Sequence, residues 1–340
     1  METVSIVILN WNGKALMEQF LPSVLAYSPR EVAEVVVADN GSTDDSLEML
    51  REKFPTVRII ALEQNYGFAE GYNKALEQIE TPYTVLLNSD VEVSEGWLEE
   101  PLAVMEKDKR IACVQPKILA QRNKDSFEYA GACGGYIDMF GYPYCRGRIL
   151  HKVEKDQGQY DLQADVLWTT GACLFVRTDI YKEEGGLDAD FFAHQEEIDL
   201  CWRLRSRGYR LVCTPKSVVF HVGAATLSVE NPRKTFLNFR NSLLMVYKNT
   251  TEKDLKKVLR VRFLLDYVAA FKFLLTGQTA NAQAIYKARK AFFALLPSYE
   301  QRRKENLLKR KLKEIPELYQ GSLIYAFYVK GKKRYSDLHP

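Results

Sequence analysis

The chain has 340 residues, 46% of them apolar and 27% charged, with a formal net charge of +3; this is the make-up of a folded protein of one or two domains and excludes a disordered chain. The small net charge hides an asymmetry. From residue 240 to 340 there are 22 Lys and Arg against 8 Asp and Glu, which leaves 25 against 36 in the rest of the chain. Such a split turns the basic part toward an anionic surface, either membrane or nucleic acid.

Met1-Glu2-Thr3 leads straight into Val4-Ser5-Ile6-Val7-Ile8-Leu9, which is short and alternates like a strand rather than like the apolar core of a signal peptide. With no secretory signal expected, the six cysteines, none in a CxxC pair, read as reduced thiols of a cytosolic protein. A zinc site is not expected, because His151, His194, His221 and His339 do not pair with cysteines at ligand spacing. After the strand at 4–9 the pattern predicts a helix near 14–27, a strand at 34–38 and a helix from 44 to 54. A strand at 57–61, a helix at 70–79 and a fourth strand at 85–87 follow. Ser42 and Thr43, ahead of Asp45 and Ser46, form a capping arrangement for the second helix, and Pro55 closes it. This alternation predicts a mostly parallel, doubly wound sheet that binds ligands at the carboxyl ends of its strands.

The pattern then loosens. Residues 130–147, rich in Gly, Tyr and Cys, read as loop or short antiparallel strands. A strand interrupted by Gly171 is expected over 166–176, a helix over 197–207 with Gly208 as C-cap, and two short strands around Pro215 over 211–221. From 232 the sequence turns to helices dense in Lys, Arg, Phe, Leu and Tyr. The most apolar of them, 261–275, is interrupted by Arg262, Asp266 and Lys272 and is shorter than the roughly 20 residues needed to span a bilayer. It fits either an amphipathic helix lying on a membrane or a helix packed on the preceding domain.

Four clusters carry polar chemistry. Asp39 ends a strand, where an acid can accept hydrogen bonds from a base N–H or a ribose hydroxyl, although Asp39-Asn40-Gly41 is also strong turn sequence. In Asn65-Tyr66-Gly67-Phe68-Ala69-Glu70-Gly71-Tyr72-Asn73 the glycines permit close backbone approach ahead of a helix N-terminus, which favours anions. The run Val85-Leu86-Leu87 ends in Asn88-Ser89-Asp90-Val91-Glu92 and delivers two carboxylates to solvent. They could hold a divalent metal over phosphate, with Asp90 the best single ligand. Last, Glu196, Glu197 and Asp199 crowd the first turn of a helix behind Phe191 and Phe192. The helix dipole favours acids there, but decoration rarely needs three in four residues.

In this order the clusters resemble glycosyltransferase family 2, the inverting enzymes of the GT-A fold, and within it the bacterial rhamnosyl- and galactofuranosyltransferase branch. Residues 4–13, Thr170-Gly171-Ala172-Cys173-Leu174, residues 196–203 and Phe220-His221-Val222-Gly223 match as well. The resemblance implies a GT-A catalytic domain over 1–230, a Rossmann-like α/β unit with a mostly parallel sheet flanked by helices, and a helical, basic region over 231–340. It implies that Asp39 binds the base or ribose of a nucleotide-sugar donor, with Asn10, Asn65, Gly67, Asn73 and Ser89 around the nucleotide. It implies Mg²⁺ or Mn²⁺ on Asp90, with Glu92 and His221 as further donors, bridging the donor diphosphate; the first acid of the family's Asp-x-Asp is Asn88 here. Glu197 would be the catalytic base. Glu196 and Asp199 would orient the acceptor or the local basic residues, and Trp168, Thr170 and Gly171 would line the sugar and acceptor wall. The donor would be UDP- or dTDP-linked. The acceptor would be a cell-surface glycan or a polyprenyl-linked saccharide at the cytoplasmic face of the inner membrane, with the basic tail on anionic lipid.

Two other functions share such a sheet. A nucleotidyltransferase normally carries a Gly-rich, basic loop after the first strand, and Asn10-Trp11-Asn12-Gly13-Lys14 is a poor version of it. A catalytically silent binding protein of the same fold would not need the acids at 39, 90 and 197. No nucleic-acid-binding motif accompanies the basic tail, so nucleic acid is not expected as a partner.

Overall fold

A computed structural model describes residues 3–223 and 231–339. The chain opens with β1 (Val4–Asn10), α1 (Lys14–Ala26), β2 (Ala33–Asp39), α2 (Ser46–Lys53), β3 (Arg58–Ala61), α3 (Gly67–Glu77) and β4 (Tyr83–Asn88). Next come β5 (Val91–Val93), α4 (Glu99–Lys107), β6 (Ile111–Ala120) and β7 (Asn123–Phe127). Five short strands follow: β8 (Gly135–Asp138), β9 (Pro143–Cys145), β10 (Arg148–Ile149), β11 (Lys152–Val153) and β12 (Ala164–Asp165). β13 (Cys173–Arg177), α5 (Thr178–Glu183), α6 (Glu196–Ser206) and β14 (Arg210–His221) complete the first part. α7 (Pro232–Asn249), α8 (Glu252–Leu275), α9 (Thr279–Leu308), β15 (Leu318–Tyr319), α10 (Leu323–Tyr328) and α11 (Tyr335–Leu338) form the rest.

The main sheet has ten strands, in the order β12-β14-β6-β13-β4-β1-β2-β3, with β5 beside β14 and β7 beside β6. β3, β2, β1 and β4 are parallel, as expected, whereas β13 runs antiparallel between β4 and β6, so the far half is mixed. β1 and β4 are buried on both faces, which is why they read as continuous apolar runs. Ile6, Ile8, Val35, Val37, Val85 and Leu87 pack under α1, α2 and α4. Val7, Val36, Ala38 and Leu86 point the other way, into a core shared with α3, α6 and a second, five-stranded sheet, β11-β10-β9-β8-β15.

Some expected elements change. Nothing in the local pattern predicts β6, because Gln115, Pro116 and Lys117 interrupt its apolar run. Lys117 is nevertheless buried, since Asp156 and Asp161 both take its ammonium. The strand expected over 166–176 shortens to β13. The two strands around Pro215 are one, β14, with a register shift between Thr214 and Val218 that accommodates the proline. Ser42 and Thr43 do not cap α2; Asp44 accepts from the Ser46 amide instead, at 3.1 Å.

The domain boundary expected at 230 falls in 224–230, outside the described residues. Beyond it, Phe292, Tyr299, Phe327 and Leu338 join the same core as Val7 and Leu86, and β15 extends the second sheet alongside β8. No helix among the described residues is long and apolar enough to cross a membrane.

Candidate active site

β1, β2 and β4 end side by side, with Asn10 paired to Asp39 and Leu9 to Asn88. Asn10 Nδ2 donates to Asp39 Oδ1 at 3.0 Å and to the Ser42 hydroxyl at 3.2 Å, and Asp39 Oδ2 accepts from the Ser42 amide at 3.0 Å. Asn10 Oδ1 is buried with no partner. Asn40 folds the Asn65 turn onto this edge, donating to Gly67 O at 2.9 Å and to Asn65 Oδ1 at 3.2 Å. The Ser89 hydroxyl lies near Gly13, on the Asn10 side of the edge.

Two expectations for this cluster are corrected. The N-terminus of α3 is not open to an anion, because the Phe68 and Ala69 amides donate to the Phe192 carbonyl at 2.6 and 3.2 Å. Gly67 is needed for a different reason: its φ is +80° and the Phe192 ring occupies the place of a Cβ. Asn73 does not face the nucleotide edge. Its Nδ2 donates to Leu187 O at 2.8 Å, and its Oδ1 accepts from the Tyr181 hydroxyl at 2.8 Å and the Leu187 amide at 3.0 Å.

Asp90 and His221 meet where β4 and β14 end, with Asp90 Oδ1 3.1 Å from His221 Nε2. Glu128, which carries no sequence signal, flanks Nδ1 of the same ring at 3.4 Å. Burial opposes the imidazolium, but hydrogen bonds to these two carboxylates prevail and raise its pKa to about 10. Glu92 does not join them. In the β5–β14 ladder Val91 pairs with His221 and Glu92 with Phe220, so Glu92 turns to the opposite face, where Lys124 holds it at 2.6 Å. As an imidazolium His221 has no free nitrogen lone pair, so Asp90 is the donor ready at this point and His221 can join it only by giving up its Nε2 proton. One carboxylate with that imidazole would fit a divalent cation that completes its shell from diphosphate and water. Asp90 and Glu128 sit on different ring nitrogens, and among the described residues no three His, Cys, Asp or Glu side chains converge as a metal site.

α6 starts with Glu196 and Glu197, and the backbone before it is strained. Phe192, His194 and Gln195 have φ values of 63°, 72° and 74°, a region that costs a non-glycine residue about 1–3 kcal/mol. α7 holds this loop. The buried Asn241 amide donates to the carbonyls of Phe191, Ala193 and His194 at 2.9, 2.9 and 2.8 Å, and Arg240 donates to those of Asp190 and Phe191 at 2.7 and 3.1 Å. Consecutive residues here each keep one buried polar atom without a partner: His194 Nε2, Gln195 Oε1, Glu196 Oε2 and Glu197 Oε2. Such orphans are rare in folded proteins, and a run of them leaves four polar atoms free to meet water or a ligand. Burial pushes the Glu197 carboxyl up to about 7, while the backbone amides of Glu197, Ile198 and Gly171 pull the other way. Burial, and then the Glu197 charge, raises Glu196 well above the carboxylate range. Burial and nearby Lys234 bring His194 down to about 4, so it is neutral at physiological pH. A carboxylate titrating near neutrality beside a neutral imidazole suits general-base chemistry.

Thr170 and Gly171 join this loop to the strand ends. The Asn88 amide donates to Ala172 O at 3.0 Å, and Gly171 lies against Phe68 and Glu197. Trp168 is not part of the wall. It is 2% exposed, its indole lies over Gly135 with no space for a Cβ between them, and its Nε1 donates to Tyr136 O at 2.9 Å in the second sheet. Asp199, about 200° around the helix from Glu197, faces basic residues rather than an acceptor. Lys248 lies at 2.7 Å, Arg203 at 2.9 Å and the Asn249 amide at 2.8 Å.

The sequence profile of Glycosyl transferase family 2 matches residues 5–174. The N-acetylglucosaminyl-diphospho-decaprenol L-rhamnosyltransferase of Mycobacterium tuberculosis is 25% identical over 238 residues, which are 65% of this chain and 76% of that protein. The O-antigen biosynthesis protein RfbC of Myxococcus xanthus is 25% identical over 226 residues, 66% of this chain and only 17% of its own length. Among solved structures, GalNAc-T7 with UDP, GalNAc and Mn²⁺ aligns with a TM-score of 0.58 at 18% identity, covering 73% of this chain and 48% of that one. The mannosyltransferase PcManGT from Pyrobaculum calidifontis, in complex with GDP-Man and Mn²⁺, aligns at 0.53 with 16% identity, covering 90% and 84%. Both structures share the fold of this chain.

Proposed function

The chain belongs to glycosyl transferase family 2, and from that premise we propose that it moves a sugar from a nucleoside-diphosphate donor to a hydroxyl of a glycan or polyprenyl-linked saccharide, inverting the anomeric carbon. The observation that carries this reading is two sets of unsatisfied polar atoms: Asn10 Oδ1 beside Asp39 at the end of β1, and those of residues 194–197 at the start of α6. Asp39 and Asn10 bind the nucleoside, and Trp11, 53% exposed, offers an indole beside them. Asp90, joined by His221 once its Nε2 proton has left, would hold Mg²⁺ or Mn²⁺, which would neutralise the leaving diphosphate. Glu197 takes the acceptor's proton as its oxygen attacks, and neutral His194 and Gln195 position that acceptor through their free atoms. A single displacement of this kind inverts configuration. The likeness to a rhamnosyltransferase supports a UDP- or dTDP-linked hexose or deoxyhexose, and a polyprenyl carrier would bring the enzyme to the cytoplasmic membrane face. The nucleotidyltransferase alternative gains nothing, because the Asn12 and Lys14 amides already donate to Ser42 and Asp44.

The test is turnover of a panel of UDP- and dTDP-sugars. Release of nucleoside diphosphate with an inverted product anomer is expected, and Glu197→Gln should cut turnover by about 10²–10⁴-fold while still binding donor. Turnover left near the wild-type rate by this change, or a product of retained configuration, overturns the reading.

A further inference from the structure

α8 has two unlike faces. Inward, Val258, Arg262 and Asp266 are buried, and Arg262 donates to the Phe140 carbonyl at 3.1 Å and the Ser242 hydroxyl at 2.8 Å. Outward, the first half of the helix carries Lys253, Lys256, Lys257 and Arg260. The second half continues the same side with Leu264, Tyr267, Val268, Phe271, Leu274 and Leu275, each between 53% and 73% exposed. Monomeric soluble proteins rarely leave so long a run of large apolar side chains uncovered. α9 returns alongside and adds Tyr286 and Phe293, 70% and 51% exposed, with Lys287 and Lys290 between them. The Arg289 guanidinium, 4.1 Å from the Tyr267 ring and 4.4 Å from the Phe263 ring, joins the two helices at this surface.

The apolar half lies at the active-site end. At the start of α9, Asn281 accepts from the Thr235 hydroxyl of α7 at 2.7 Å. On either side of Thr235 along α7, Arg233 sits 5.0 Å from the Phe192 ring, and Asn238 accepts from the Gln195 amide at 3.4 Å. The α8–α9 turn, the start of α7 and the loop carrying Glu197 therefore share one end of the molecule.

We propose that the outward face of α8, with the start of α9, lies on an anionic phospholipid surface. The apolar side chains enter the boundary between headgroups and acyl chains, the lysines meet the headgroups, and the catalytic loop faces the bilayer. Charge selects this occupant. Exposed cations line both helices here, and the exposed acids of α8 are confined to Glu252 and Asp254 in its first turn. A second copy of the chain would bring the same cations against them. A helix lying in the interface needs only such a stripe, not a spanning length. That the membrane also presents the acceptor rests on the proposed transferase activity; lipid binding does not.

Full-length protein is sedimented with vesicles of phosphatidylcholine and of phosphatidylcholine mixed with phosphatidylglycerol. Binding to the mixed vesicles is expected, weakened by salt and about tenfold weaker in Phe271→Glu/Leu275→Glu. Lys253→Glu/Lys257→Glu should weaken binding and remove most of its salt dependence. Both variants change exposed residues and should keep the wild-type melting temperature and its shift with UDP or dTDP and Mn²⁺, so lipid binding and donor binding are read separately. No binding by the wild type, or binding unchanged in both variants, overturns the proposal. So does a dimer that Phe271→Glu/Leu275→Glu dissolves while vesicle binding persists, because the face then belongs to a second copy.

Discussion

In the proposed reaction Glu197 sets the pH at which the enzyme works. Its carboxyl acts as a base only when ionised, and burial places its titration near 7. The rate should therefore climb from about pH 6 to about pH 8 and then level, and Glu197→Gln should remove this limb and cut kcat by about 10²–10⁴-fold. The same burial has a stability consequence of opposite sense. A carboxyl whose folded pKa lies above its unfolded value of 4.5 binds more protons when folded, so the fold loses stability as pH rises from 4.5 toward 7. Glu197→Gln should thus be inactive yet more stable than wild type by about 1–2 kcal/mol at pH 8, with the gain gone below pH 4.5; urea melts at the two pH values check this. Asp39, Asp90 and Glu197 were legible as acids at the ends of strands or helices. Glu128 was not, because only the fold brings it to His221.

At the scale of elements, the strained loop before α6 depends on α7. Asn241→Ala takes the side-chain donor from the carbonyls of Ala193 and His194 and one of several donors from that of Phe191, which keeps Arg240. It should cost about 1–3 kcal/mol and lower kcat more than it weakens nucleoside-diphosphate binding, as steady-state kinetics and thermal shifts would show. Between α6 and α7, Lys248 serves Asp188 at 2.6 Å and Asp199 at 2.7 Å, all three buried. Lys248→Met removes the cation the two carboxylates share, leaving Asp199 to Arg203 and Asn249 and Asp188 to Arg302 and Tyr299, and should destabilise by about 1–3 kcal/mol in urea unfolding. β1, β2 and β4 could be read from the sequence because burial on both faces demands apolar runs. β6 could not, because the partners of Lys117 come from distant residues, and α3 begins at Gly67, earlier than expected, because the Phe192 carbonyl caps it.

For the whole molecule, the basic C-terminal helices are part of the catalytic unit: they supply Asn241 to the loop and Phe292 and Tyr299 to the shared core. Charge and composition revealed their surface but not this role, which depends on contacts between chain segments far apart. Trp168 was misplaced for a related reason, and of the two roles open to Asp199, acceptor or local basic residues, it takes the second. An aromatic or an acid near a motif looks the same in sequence whether it faces a ligand or the core. The central claim is a nucleoside-diphosphate and metal site at the ends of β1, β2 and β4. Thermal stabilisation by UDP and dTDP, with and without Mn²⁺, in wild type and Asp90→Ala tests it most directly. At least one diphosphate should stabilise the wild type, more so with Mn²⁺, and Asp90→Ala should lose the Mn²⁺-dependent part. Stabilisation by nucleoside triphosphates alone, or an Mn²⁺ gain that survives Asp90→Ala, would contradict it.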